Sequence, residues 1–142
     1  MGRYEFIPGV AIADLAFEVE AETLEELFTL SARALFEAMV ELKDVRPVEE
    51  VKISLSAEKL DNLLFDYLAE LVYQKDLEAR VFSEFEVSIS ENGNFKLEGK
   101  AKGEKIDPAK QELKTDVKAI TYHLFKLEKR DKGYYARVVL DT

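Results

Sequence analysis

The stretch that decides the fold is TLEELFTLSARALFEAMVEL, residues 23–42, which predicts a long amphipathic helix. Thr23 and Glu26 form a capping box, because the two side chains can satisfy free amide groups at the start of a helix. After that start, apolar residues recur at intervals of three and four, so they share one face of the helix. They are Leu24, Leu27, Phe28, Leu35, Met39 and Leu42.

A second helix of the same kind is predicted from Ala57 to about Gln74, with Ser56 as its cap. Lys59, Asp66 and Glu70 fall on its polar side. Its apolar side carries Leu60, Leu63, Leu64, Tyr67, Leu68, Leu71 and Val72. Two helices with one apolar face each need a further layer of structure to cover them.

Alternating apolar residues predict the strands that form this layer. One strand begins near Leu15, and a second lies in VKISLS, residues 51–56. The dipeptide Asn92-Gly93 indicates the turn of a hairpin whose strands hold Phe85 and Leu97. A further hairpin joins residues 117–129 to residues 134–141 through RDKG.

Between these hairpins, Gly103 and Pro108 break the alternation, and residues 103–116 are predicted to form a loop with one helical turn. The order of elements predicts an α+β fold. We expect a single two-layer domain over residues 1–142, with two amphipathic helices on one face of a mixed sheet.

Composition limits the possible functions. The 142 residues include 20 basic and 29 acidic side chains, a net charge of -9, which repels a nucleic-acid backbone. This charge favours a protein partner with a basic surface, or a cation held by carboxylates. The absence of cysteine excludes disulfides, thiolate catalysis and zinc–thiolate sites. With neither a signal peptide nor an apolar run long enough for a membrane span, we expect a cytoplasmic protein.

The stretch TDVKAITYHL, residues 115–124, places polar groups within an apolar strand. Both faces of this strand are largely apolar, which predicts a central strand covered on both sides. Lys118 is then expected at the edge of a site and His123 deeper inside, as a hydrogen-bonded core histidine. A catalytic triad has little support, because the chain lacks both cysteine and a Gly-x-Ser-x-Gly motif.

Asp14 lies in the otherwise apolar VAIADLAF, and Asp141 follows RVVL at the end of the last strand. If the first and last strands lie close together, these carboxylates and that of Thr142 form a negative cluster. Such a cluster needs a cation or Lys118 to neutralise it. Oxygen ligands without cysteine suit Ca²⁺ or Mg²⁺ rather than zinc. The spacing matches no EF-hand.

Four segments together resemble the archease family: ADL at 13–15, LEELF at 24–28, VKAITYH at 117–123 and ARVVLDT at 136–142. The resemblance runs in the same order over nearly the whole chain. It implies a non-catalytic accessory protein of the GTP-dependent tRNA-splicing ligase, which joins RNA ends bearing a cyclic phosphate or 3'-phosphate to a 5'-hydroxyl. Members promote guanylylation of that ligase and sustain multiple turnover.

The resemblance also implies residue roles. It makes Asp14 and Asp141 metal ligands, with calcium as the expected metal, and matches Lys118 to the lysine of the KAITYH motif. Family members commonly read His-Thr-Ala-Asp around the first acid, whereas this chain reads Ala11-Ile12-Ala13-Asp14 and so lacks the histidine and threonine. We expect the acidic cluster to dock beside the active site of the ligase.

Two alternatives remain open. One is a chaperone-like specificity modulator of another tRNA-modifying enzyme, such as a methyltransferase. The other is a small metal-dependent hydrolase that uses the aspartates with His123 as its base. The single histidine and the lack of a recognisable nucleophile favour the accessory protein over the hydrolase.

Overall fold

The computed structural model describes residues 2–8 and 15–142. It contains two α-helices, α1 (Leu24–Glu37) and α2 (Leu60–Glu78), and a short 3-10 helix at Leu42–Asp44. Seven strands complete the fold: β1 (Arg3–Phe6), β2 (Leu15–Ala21), β3 (Glu49–Ala57), β4 (Arg80–Asn92), β5 (Asn94–Lys105), β6 (Ala119–Arg130) and β7 (Gly133–Asp141). The α+β class is confirmed.

The Thr23 cap predicted for α1 is present, while Glu26 reaches back to the residue before the cap. The Glu26 amide donates to the Thr23 hydroxyl at 3.1 Å, and the Glu22 amide donates to the Glu26 carboxylate at 3.0 Å. The helix ends at Glu37, five residues before the predicted end at Leu42. Leu42 instead begins the 3-10 helix, so the apolar spacing of the sequence continues past the end of the regular helix.

The strands form two antiparallel sheets where the sequence predicted one mixed sheet. One sheet has the order β1-β2-β7-β6 and the other the order β3-β5-β4. Alternation marks the buried face of each strand but does not select its partner. Strand β2 pairs with β7, and this pair joins Leu15 to Leu140 near the other end of the chain. Local sequence patterns do not predict so distant a pairing.

Both helices contact strands of both sheets, and they join the two sheets into one core. Helix α1 packs on β2 and β4, while α2 packs on β3 and β6. Aromatic rings fill the space between these layers: Phe36 meets Phe82 edge-on with 5.4 Å between ring centroids, and Phe28 meets Tyr67 at 5.7 Å. Phe82 and Phe85 both pack against Phe36 and belong to this layer.

Helix α2 is displaced towards the C-terminus relative to its prediction. Ser56 lies in β3, and the N-cap of α2 is Lys59, whose side chain makes no capping hydrogen bond. The helix continues four residues past Gln74 and ends at Glu78, and its C-cap, Ala79, adopts a left-handed backbone with φ 51°. Within the described residues, neither this helix nor any other is long and apolar enough to cross a membrane.

Strand β5 extends to Lys105, so the prediction that a loop begins at Gly103 is wrong. Gly103 is buried and pairs with Phe82 where β4 and β5 shift register. Glycine is needed there because a Cβ would lie 1.8 Å from the Val81 carbonyl oxygen. The predicted helical turn does occur, since the amides of Lys110 and Gln111 both donate to the Asp107 carbonyl oxygen.

We expect the stability of the fold to decrease at alkaline pH through two tyrosines. Burial raises the pKa of Tyr67 well above its usual range, and burial together with a hydrogen bond to Glu37 raises the pKa of Tyr4 to about 12. Because the unfolded chain loses these protons from about pH 10, stability is complete below that pH and falls as pH rises towards the folded-state pKa values.

Tyr67→Phe isolates the buried contribution. Among the described residues the Tyr67 hydroxyl finds no hydrogen-bond partner, so its removal should raise the free energy of unfolding at pH 7 by up to about 1 kcal/mol. The decrease in the free energy of unfolding between pH 9 and pH 11 should become shallower than in wild type. Urea unfolding at several pH values measures both effects, with the exposed Tyr73→Phe as control. An unchanged alkaline slope in Tyr67→Phe would contradict this account.

Candidate functional site at the paired ends of β2 and β7

The first and last regions of the chain meet in one sheet, as the acidic-cluster prediction requires. Strand β2 begins directly after position 14 and runs antiparallel to β7, and Leu15 pairs with Leu140. The residue that follows Asp14 is thus opposite the residue that precedes Asp141. Asp141 is exposed at the end of β7, with the half-buried Thr142 next to it. Asp14 itself lies outside the described residues.

The segment before β6 reaches the same place. The Lys118 amide donates to the Asp141 carbonyl oxygen at 2.8 Å, and Ala119 pairs with Asp141 across the β6–β7 ladder. Lys118 is exposed. The structure therefore brings Lys118 next to Asp141 and Thr142, which follow it by more than 20 positions in the sequence.

A buried lysine holds this segment against α2. The Lys75 side chain is 5% exposed, and its ammonium donates to the Asp116 carboxylate at 3.0 Å and to the Val117 carbonyl oxygen at 3.1 Å. The Asp76 carboxylate lies 3.1 Å from the same nitrogen. Two hydrogen bonds and the Asp76 ion pair thus compensate this charge, which is the condition for burying it. Lys75 fixes the residues that lead directly into Lys118.

The sequence did not predict a positioning role for Lys75, because the second helix was predicted to end at about Gln74. A signal was present: Lys75 follows Leu68, Leu71 and Val72 at the spacings that continue the buried side of a helix. A lysine in that position indicates a buried cation with dedicated acceptors rather than a solvated charge.

His123 does not lie in the core, so that prediction is wrong. Strand β6 is the edge strand of its sheet, and His123 is exposed. The apolar residues on both of its faces suggested a central strand, but part of their surface lies against α2 and part is open to solvent. His123 follows Ala119 by four residues, so it lies further along the strand than the position opposite Asp141. This separation gives the hydrolase alternative no support.

The middle of β6 departs from regular strand geometry. Its register to β7 shifts between Thr121 and Lys126, and Leu124 adopts φ 56°, which is rare outside glycine. The Arg137 guanidinium Nε donates to the Leu124 carbonyl oxygen at 2.8 Å and supports this turn of the backbone. Tyr122 stacks on Phe65 of α2, with 3.9 Å between ring centroids and 4° between planes.

The described residues alone do not complete a metal site. Across residues 2–8 and 15–142, no group of three or more histidine, aspartate or glutamate side chains lies close enough to hold an ion. Asp141 supplies oxygen donors of the type that Ca²⁺ prefers. A calcium site here therefore depends on Asp14, and it is not shown by the described residues.

The sequence matches the family described as "Archease protein family (MTH1598/TM1083)" over residues 4–142. The protein archease of Pyrococcus furiosus is 42% identical over 131 residues, which cover 91% of this chain and 92% of that protein.

Two solved structures share the fold. The solution structure of Methanobacterium thermoautotrophicum protein 1598 is 34% identical with a TM-score of 0.86, and 98% of each chain is covered. The crystal structure of a Thermotoga maritima protein, described as "an archease, possible chaperone", is 26% identical with a TM-score of 0.63, and 96% of each chain is covered. By family match, sequence identity and fold, the chain belongs to the archease family.

Proposed function

We propose that this protein is a non-catalytic activator of the GTP-dependent tRNA-splicing ligase. It promotes guanylylation of the ligase and multiple-turnover RNA ligation in tRNA splicing and repair, and it acts in the cytoplasm. Asp14 and Asp141 together hold a divalent cation, and calcium is the ion that the family resemblance implies. The observation that carries this proposal is the pairing of Leu15 with Leu140, which borders both aspartates.

Charge and exposure support an external role for this site. Asp141 and Lys118 are both exposed, so a partner protein can reach them without any rearrangement of the core. If the Asp14 carboxylate lies beside that of Asp141, the two repel each other unless a cation offsets their charge. A bound divalent ion would supply that positive charge and would orient oxygen atoms of a partner or nucleotide phosphate. The side chain of Lys118 would add a second positive charge at the edge of this site.

The backbone of this chain does the positioning. Strands β2 and β7 fix the two chain positions that border the aspartates, and the Lys118 amide ties the entry of β6 to the Asp141 carbonyl oxygen at 2.8 Å. Lys75 holds the preceding residues from the side of α2. The site thus rests on a ladder and a buried ion pair rather than on a loose terminus, which suits a preorganised contact.

The test compares wild type, Asp14→Ala and Asp141→Ala with the purified ligase, GTP and an RNA carrying a 3'-phosphate. We expect wild type to accelerate guanylylation and to restore repeated turnover, and each variant to lose most of that stimulation. The formation of the guanylylated ligase and of ligated RNA are both measured. Glu50→Ala, an exposed carboxylate on β3, is the matched control and should stimulate like wild type.

The metal is tested on the same proteins. Calcium at about 100 times its dissociation constant should stabilise wild type by about 2.7 kcal/mol and should leave Asp141→Ala unchanged. Equal stimulation of the ligase by wild type and both folded aspartate variants would rule the activator site out. If wild type binds and modulates a tRNA methyltransferase but has no effect on the ligase, the specificity-modulator alternative replaces the proposal.

A further inference from the structure

Helix α2 carries an apolar stripe whose N-terminal half is partly buried against the core and whose C-terminal half faces solvent. Residues spaced by four lie next to one another along a helix, and here they are Phe65, Ala69, Tyr73 and Leu77. Tyr73 is 56% exposed and Leu77 is 58% exposed. The opposite side of the same helix is fully buried in the core, so this helix is apolar on two sides. An apolar side without a covering layer marks a contact surface.

The stripe continues onto β6. Phe65 stacks on Tyr122, whose side chain is nevertheless 71% exposed, and Leu124 is 43% exposed. The left-handed backbone at Leu124 is an unfavourable conformation for a branched residue, and strained residues of this kind cluster at functional surfaces. The α2–β6 patch is defined here as Phe65, Tyr73, Leu77, Tyr122 and Leu124.

Charges on this side of α2 have one sign. Asp66, Glu70 and Asp76 flank the stripe, and within Leu60–Glu78, which the structure describes throughout, the lone lysine is the buried Lys75. Its ammonium lies between Asp76 and Asp116, so one positive charge faces two carboxylates. The surface that complements this patch is an apolar centre with lysine or arginine side chains on the side that meets α2. A second copy of this chain would bring the same negative charges against it.

The patch adjoins the candidate site. Ala119 lies opposite Asp141, and Tyr122 follows three residues later on β6, which corresponds to about 10 Å along a strand. A partner that covers the patch therefore has its edge at Asp141 and Lys118. Docking and activation can thus use adjacent but separate residues.

We propose that the α2–β6 patch is the surface on which the partner protein docks, through an apolar region with a basic rim. This inference rests on the proposed function, which makes that partner the tRNA-splicing ligase. The patch supplies binding affinity and fixes the orientation of the partner, while Asp141 contributes to the stimulation of guanylylation. Removing the patch therefore weakens binding without lowering the stimulation reached at saturation.

The experiment uses the full chain with Tyr73→Ser and Leu77→Ser combined, and with Tyr122→Ala alone. Titration calorimetry with the purified ligase gives the dissociation constant, and a guanylylation titration gives the half-maximal concentration and the plateau. We expect each variant to raise the dissociation constant and the half-maximal concentration by about tenfold or more, with the plateau kept. Asp141→Ala should instead lower the plateau. Raising the salt concentration should weaken binding of wild type.

Val48→Ser is the matched control, because Val48 is 64% exposed and lies before β3, outside the patch. Unchanged binding by the patch variants, or an equal loss with Val48→Ser, would overturn the docking surface. Wild type that binds through the patch without stimulating the ligase would defeat the proposed function alone, whereas wild type that does not bind the ligase defeats both. A wild-type dimer that the Tyr73 and Leu77 changes dissociate would assign the patch to a second copy of this chain.

Discussion

Gly103→Ala is expected to lower the free energy of unfolding by about 3 kcal/mol, the upper end of the usual cost of overpacking. The added Cβ would lie 1.8 Å from the Val81 carbonyl oxygen and 2.7 Å from the Phe82 Cα atom. Both are backbone atoms, so no side-chain rotation can relieve the contact. Strands β4 and β5 would have to move apart beside their register shift, where Phe82 of β4 packs into the core.

Urea unfolding followed by circular dichroism measures this loss. Gly2→Ala is the matched control, since its Cβ would meet side-chain atoms alone, Leu30 Cδ1 at 2.5 Å and Glu26 Cδ at 2.7 Å, and both flexible side chains can move away. We expect the control to change stability by less than about 0.5 kcal/mol. A Gly103→Ala protein as stable as the control would show that the two strands are not in contact at this point.

Lys75→Met is the second large effect, with an expected loss of about 2 kcal/mol. Methionine keeps the apolar stem but removes the donor to the buried Val117 carbonyl oxygen and the partner of Asp116. The unpaired carbonyl group then bears its full desolvation cost. The segment that leads into Lys118 should loosen, so its amides should exchange hydrogen faster than those of β7.

Chemical unfolding and hydrogen exchange on the same samples check both parts of this prediction. Lys110→Met removes an exposed lysine from the same connection and is the control for charge alone. Equal stability in the two variants would mean that Lys75 has no positioning role. Lost stability with unchanged exchange in residues 114–118 would mean that Lys75 supports the core but does not hold the site.

The helices were predictable because their signals are local. The Thr23 and Glu26 pair lies within one turn, and the Glu26 amide donates to the Thr23 hydroxyl as the motif implies. The buried faces of the strands followed from alternation, as Ile53 and Leu97 illustrate with 3% and 0% exposure. Strand β1 went unpredicted because Arg3–Phe6 is only four residues long. Its register to β2 depends on residues that lie more than ten positions away.

The candidate site was predictable only in part. The sequence indicated Asp141 and Lys118 as neighbours, and the Lys118 amide does contact the Asp141 carbonyl oxygen. The exposure of His123 was not predictable, since an edge strand packed against a helix carries apolar residues on both faces, as a central strand does. The positive φ of Leu124 also has no signature in the sequence, because leucine rarely adopts it.

The shifted register of β6 also has a consequence for how the protein behaves at high concentration. An open edge strand can template pairing with other chains and start aggregation, especially when it displays apolar side chains. Here the β6–β7 ladder is regular over Ala119–Thr121 and again over Lys126–Arg130, with the irregular segment between them. Each regular stretch is shorter than the roughly six-residue segments that build amyloid zippers. The distortion at Leu124 thus shortens the regular edge with which further strands could pair.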